Sequence, residues 1–189
     1  SYHEMADWGM DILKVGESLG IGSVGMWKNG KAERVSVTDS VSCAIVSNGS
    51  VQSQIRTVYN GWQVDSATYD LISDISITGG SRLSRHMLRI MGKPDNLCTG
   101  LAKHDETELL ESGEAESVWG YLALYGKQSL AGDNLGMAVF YRNEDRIKRT
   151  EDEHSHVVVL KPRDGKLIYY FGAAWEQEAG GIQSKEAFV

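Results

Sequence analysis

The stretch VSCAIVSNGSVQSQIRTVY sets Asn48-Gly49 between two runs rich in β-branched residues, and it constrains the chain more than any other feature. Asn-Gly is the dipeptide that most readily accepts positive φ at both centres of a two-residue hairpin turn. The spacing predicts strands over about 41–47 and 50–59. In ATYDLISDISI, Tyr69, Leu71, Ile75 and Ile77 alternate with Thr68, Asp70, Asp74 and Ser76, the pattern of a strand with one buried and one wet face. SRLSRHMLRIMG alternates too, with Leu83, Arg85, Met87, Arg89 and Met91 on one side and Ser84, His86, Leu88 and Ile90 on the other. After the acidic segment ETELLESGEAES, which holds at most one short helix, come the runs VWGYLALYGK, GMAVFYR, HVVVLK and KLIYYFGAAW. The expected fold is all-β, an antiparallel β-sandwich of many short strands forming a single domain over residues 1–189.

The net charge of −7 and the pI near 5.2 argue against a general nucleic-acid or anionic-membrane binder. No apolar run approaches the roughly 18 residues of a membrane span, so no membrane insertion is expected. The sequence begins at Ser1, as expected after removal of a leader or for an excerpt of a longer protein. Cys43 and Cys98 read as free, partly buried thiols, with a disulfide as the alternative.

In EHSHVVVL, His154 and His156 are two apart and would share a strand face. KPRDGK, with Pro162 and Asp164-Gly165, reads as the turn of a hairpin joining this run to KLIYYFGAAW. An even-length loop would set Tyr169, Phe171 and Trp175 beside the two histidines, whereas a three- or five-residue loop would select Tyr170. Val157, Val159, Ile168 and Tyr170 would then form the core side. His-x-His supplies only two metal ligands and no third with a recognisable spacing, so neither a metal nor a cofactor is expected.

VWGYLALYGK has the same two-sided character: Trp119, Tyr121, Ala123, Tyr125 and Lys127 fall on one face, Val118, Leu122 and Leu124 on the other. Aromatic rings beside polar groups suit a sugar, whose axial C–H bonds make an apolar patch and whose hydroxyls need partners; a second buried face is the plainer alternative. Lys127 beside aromatics is a candidate base, and Arg56, with Gln52 and Gln54 on its face, offers a planar fork of donors to a carboxylate. The glycines of KVGESLGIGSVGMW lack the GxxxxGK[ST] pattern of a phosphate loop.

SYHEMADWGMDILKVGESLGIGSVGMWKNGK, then SNGSVQSQIRTVY, then HVVVLKPRDGKLIYYFGAAW resemble, in that order, the family called domain of unknown function 4861, over nearly the whole chain. The resemblance implies a galactose-mutarotase-like β-supersandwich, of which this chain would be the central and C-terminal part. It also implies a secreted or periplasmic bacterial protein, typically from Bacteroidetes, encoded among genes for polysaccharide breakdown. Positions that match the family's motifs are His3, Lys14, Gly16, Arg56, His154 or His156, and Tyr169. The chain departs from the family at Ala6 and Trp8, where many members carry a second His and an acidic residue before the glycine.

The activity expected on this basis is a polysaccharide lyase that cleaves a uronic-acid polymer such as alginate by β-elimination. That reaction needs a group to neutralise the C6 carboxylate, a base for the C5 proton and an acid for the leaving oxygen. Arg56 or a histidine would serve first, Lys127 or His154 second and Tyr169 third, with His156, Trp119, Tyr121, Tyr125, Trp175, His3 and Lys14 holding the acidic polysaccharide. The alternatives are a non-catalytic glycan-binding module, or a mutarotase-like epimerase or glycoside hydrolase, for which Glu176 beside Trp175 is the nearest acid.

Overall fold

The alternating runs become two antiparallel sheets packed face to face in a computed structural model that describes residues 1–113 and 117–189. β1 (Gly25–Lys28) and β2 (Lys31–Arg34) form a hairpin over Asn29-Gly30, both at positive φ. β3 (Ser40–Asn48), β4 (Gln52–Val64), β5 (Ala67–Thr78) and β6 (Leu83–Met91) follow as a meander. The chain then supplies β7 (Leu97–Ala102), β8 (Thr107–Glu111), β9 (Trp119–Lys127) and β10 (Asn134–Arg142). β11 (Arg146–Glu151), β12 (Ser155–Leu160) and β13 (Lys166–Trp175) complete the sheets, and a one-turn helix α1 (Lys185–Phe188) follows. The smaller sheet has the order β11-β12-β7-β1-β2 and the larger β3-β4-β5-β6-β13-β10-β9-β8.

The core lies between the sheets. From the large sheet it takes Leu71, Leu88, Leu122, Leu124, Met137, Val139, Tyr141, Leu167, Tyr169 and Trp175; from the small one, Met26, Leu97, Leu101, Val158 and Leu160. Each fully buried leucine contributes about 2 kcal/mol, which makes period-two apolar spacing decisive for register. A bulge between Tyr59 and Trp62 shifts the parity of β4, so Thr57 and Tyr59 before it and Trp62 and Val64 after it all face inward. Gly61 makes the bulge possible: it sits at φ +65°, and an added Cβ would lie within 2.1 Å of the Asp39 carboxylate.

The predicted 48–49 hairpin forms with a longer loop, since Asn48 pairs with Ser53 and the Gly49 amide bonds to the Gln52 carbonyl. The acidic segment supplies the edge strand β8, not a helix, and residues 114–116 of it lie outside those described. Cys43 is exposed and Cys98 buried, and both are free.

KPRDGK departs most from expectation. Asp164 and Gly165 do adopt positive φ, 49° and 72°, and Arg163 and Lys166 exchange backbone hydrogen bonds across them. The strands on either side nevertheless lie in different sheets, because β12 is already paired on both edges, by β11 and β7. The turn reverses the chain from one sheet to the other. His154 and His156 therefore do not share a face with Tyr169, Phe171 and Trp175.

Candidate functional site: a cationic and aromatic sheet face

Register assigns every side chain of the large sheet to the core or to the outer surface. On β9, Leu122 and Leu124 point inward, so Trp119, Tyr121, Ala123, Tyr125 and Lys127 point outward, as the alternation predicted. Their partners carry the outer face onward: Phe140 lies opposite Tyr121, Tyr170 opposite Phe140, and Arg85 opposite Tyr170. Across β6 the face continues to Asp74 and then to Arg56, which is its direct partner on β4. Lys166 of β13 stands opposite Arg89 of β6.

The centre of this face is a carboxylate held by two guanidinium groups. Arg56 donates through Nε to Asp74 Oδ1 at 2.7 Å and through Nη2 to Oδ2 at 2.9 Å, the bidentate geometry of a strong pair. Arg89 donates through Nη2 to Oδ2 at 2.7 Å, and Gln54 Nε2 reaches Oδ1 at 3.1 Å. The Asp74 side chain is only 3% exposed, whereas those of Arg56 and Arg89 are 40% and 36% exposed. The hydrogen bond from Arg56 holds the Asp74 carboxyl below its ordinary value against the upward push of burial. One buried negative charge thus fixes two surface cations, with Arg85 and Lys166 beside them; locally the face is positive on a chain of net charge −7.

A row of rings borders the cations. Tyr170 meets Trp119 edge to face at 5.4 Å, Arg142 lies over Trp119 at 5.6 Å from the ring centroid, and Tyr121 is 6.3 Å from Phe140. Tyr121, Phe140 and Ala123 also line a small apolar recess of 150 Å³ under Phe188.

Several predicted site residues lie elsewhere. Tyr169 faces the core, fully buried, and its hydroxyl donates to the Gly22 carbonyl at 2.7 Å; burial pushes its pKa upward, so it presents no proton to solvent. Trp175 is buried on the same inner face and donates through Nε1 to Asp133. Tyr125 points outward but is covered by Phe188, 5.5 Å away between ring centroids. Lys127 is exposed at the end of β9, paired with Asn134, six residues along β10 from the partner of Tyr170. That is about 20 Å at the rise of a strand.

His154 sits in the bend before β12, its Nε2 3.5 Å from Glu17. His156 is half-buried on the small sheet, with Nδ1 3.2 Å from Glu151, and burial lowers its pKa. His3 and Lys14 line a shallow depression with Asp11 and Leu130, and His3 lies 3.7 Å from the Asp11 carboxylate. Among the described residues, no group of three or more His, Cys, Asp or Glu side chains is placed to hold a metal ion, and no helix is long and apolar enough to cross a membrane.

Of the predicted residues the structure unites Arg56, Trp119 and Tyr121 on one open face and adds Asp74, Arg85, Arg89, Lys166 and Tyr170. The two arginines of β6 were visible as alternating residues in SRLSRHMLRIM. Nothing local to that segment shows that β6 lies beside β5 and so beside Asp74.

Fold and face together define an antiparallel β-sandwich with a cationic and aromatic sheet surface. The model of the family described as domain of unknown function (DUF4861) matches residues 1–189, and the chain belongs to that family. No curated protein matches the sequence. Two solved structures of the α-N-acetylgalactosaminidase NagBb from Bifidobacterium bifidum, one a GalNAc complex and one a quadruple mutant, are similar to it at 11% identity and a TM-score of 0.42. Each match covers 80% of this chain, which spans about 30% of the NagBb chain.

Proposed function

We propose that the protein binds an acidic polysaccharide along the outer face of its large sheet. One observation carries the reading: Arg56 and Arg89 hold a single buried carboxylate, Arg85 and Lys166 stand on the same face, and this cationic stretch borders Tyr170, Phe140, Tyr121 and Trp119, on a chain that is acidic overall. A uronate presents a planar carboxylate for a guanidinium fork and C–H faces for the rings. Such a role would be carried out outside the cytoplasm, by a secreted or periplasmic protein, which is what the family resemblance implies.

The finer reading is a polysaccharide lyase. On this face Arg85, directly opposite Tyr170 in register, would neutralise the C6 carboxylate in place of Arg56, which lies three strands from Tyr170, and Tyr170 would take the proton-donor role first expected of Tyr169. The base expected of Lys127 is then about 20 Å away, too far to share a sugar ring with Tyr170. That separation favours binding without cleavage over β-elimination. An epimerase or hydrolase would need a free carboxylate; Asp74 is committed to two arginines, and Glu176, the acid first considered, accepts from the backbone and side-chain amides of Asn134 at 2.9 Å.

The test is incubation with a panel of uronate polysaccharides, following ultraviolet absorbance of the unsaturated uronate and retention on glycan-containing gels. Retention with a flat absorbance trace is the expected result. Rising absorbance abolished by Tyr170→Phe would establish the lyase, and no retention on any acidic polymer would reject both readings.

A further inference from the structure

The geometry points to a second ligand site, separate from the outer face, in the cleft between the two sheets: a pocket for a small hydroxylated carboxylate such as a single sugar acid, with Arg34 as its anchor. The small sheet ends at β2, and the inner faces of β4, β5 and β6 run past it. The uncovered span is a cleft of 470 Å³, within the size range of small-molecule sites.

Its lining is selective in charge. Among the described residues no acidic side chain borders this cleft, whose polar groups are Arg34, Ser36, Thr57, Tyr59, Ser73 and His86, with the exposed Ser23 beside them. Arg34 is half-buried, and its Nη1 donates to the backbone carbonyls of Gly16 at 3.1 Å and Ser18 at 3.4 Å. On its other side Arg34 lines a depression bordered by Glu17, Glu33, Asp152 and Glu153; Glu33 pairs with Lys31, Glu17 with His154, Asp152 accepts from the Ala32, His154 and Ser155 amides, and among the described residues none is within ion-pair distance of Arg34. A guanidinium held by carbonyls, with no direct ion pair and with its remaining donors at the wall of an acid-free cavity, suits a carboxylate there.

The floor supplies hydroxyls and no further charge. Ser73 Oγ lies 2.6 Å from His86 Nε2, and burial lowers His86 to about 4, so the ring is neutral at physiological pH. Tyr59 and Thr57 add two hydroxyls on the adjacent strand. The wall is close-packed: Gly22, at φ +72°, lies so near Phe171 that an added Cβ would come within 2.7 Å of it. A preformed wall lowers the ordering cost of binding.

Calorimetric titration of the full chain with glucuronate, glucose and acetate tests the assignment, using Arg34→Gln and Tyr59→Phe as variants and thermal melts as folding controls; the difference between wild type and Arg34→Gln reads the cleft alone. Glucuronate should bind about tenfold or more tightly than glucose or acetate, since only it engages both the cation and the hydroxyls. Arg34→Gln should erase its advantage over glucose, and Tyr59→Phe should weaken both sugars about fivefold. Retention of polysaccharide on the outer face should survive Arg34→Gln, so either site can fail alone. No measurable binding, acetate binding as tightly as glucuronate, or an advantage that persists in Arg34→Gln would overturn the proposal.

Discussion

Replacing Tyr169 with Phe separates a structural hydroxyl from a catalytic one. The ring is fully buried, 4.9 Å from His86, and stays in place when the oxygen is removed. What is lost is the 2.7 Å hydrogen bond to the Gly22 carbonyl, which ties β13 to the segment leading into β1. A typical buried hydrogen bond contributes about 1 kcal/mol, and the carbonyl left without this donor adds up to a similar amount, giving about 1–2 kcal/mol. For a chain of this length each kcal/mol lowers Tm by about 2–4 °C, so a fall of about 4 °C is expected by calorimetry. Binding of acidic polysaccharide, measured in parallel, should be unchanged. An unaltered Tm would refute the hydrogen-bond argument, and loss of binding or turnover at wild-type stability would return Tyr169 to the site.

Other consequences concern the same junction and the ionisable groups. Gly22→Ala combines a left-handed backbone with a contact against Phe171 and should destabilise by about 3 kcal/mol in urea unfolding; a loss below about 1 kcal/mol would show that the junction adjusts freely. His86, lowered by burial to about 4, binds its proton more weakly in the folded than in the unfolded state. Stability is therefore fully present above about pH 6.5 and falls between 6.5 and 4, by about 3 kcal/mol in all. His104 and His156 are also lowered and act in the same direction, so the comparison is between wild type and His86→Gln, whose melting curve should depend less on pH in that window. Parallel pH profiles would contradict the assignment. Lys127→Ala should leave both Tm and glycan retention unchanged, since its side chain is exposed and remote from Tyr170.

Alternation along the chain foretold the two faces of β5, β6 and β9, because a sheet with a single core tolerates only one register for Leu71, Leu88, Leu122 and Leu124. The 48–49 hairpin was legible for a related reason: its partners are neighbours in sequence. KPRDGK makes the turn its chemistry predicts, centred on Asp164-Gly165, yet that turn does not pair the strands on either side of it. Which strand pairs with β12 is decided by β7 and β11, and no local pattern reveals that choice. The error moved Tyr169 and Trp175 from the site to the core and left Tyr170, the neighbour of opposite parity, on the surface. The bulge at Gly61 inverted the parity of β4, so Trp62 entered the core where simple alternation would have placed it outside. Asp74, read as a residue of a wet face, is instead nearly sealed by two arginines that long-range pairing brings to it.

Affinity electrophoresis in gels containing a polyuronate, run at low and moderate salt with wild type, Arg89→Ala and Trp119→Ala, addresses the outer face most directly. Wild type should be retarded at low salt and less so at moderate salt, because exposed charges are screened over about 10 Å at 0.1 M. Arg89→Ala should migrate faster and lose part of the salt dependence, while Trp119→Ala should weaken retention and keep it. Equal mobility of all three proteins in gels with and without the polymer would contradict an acidic-glycan face on this sheet.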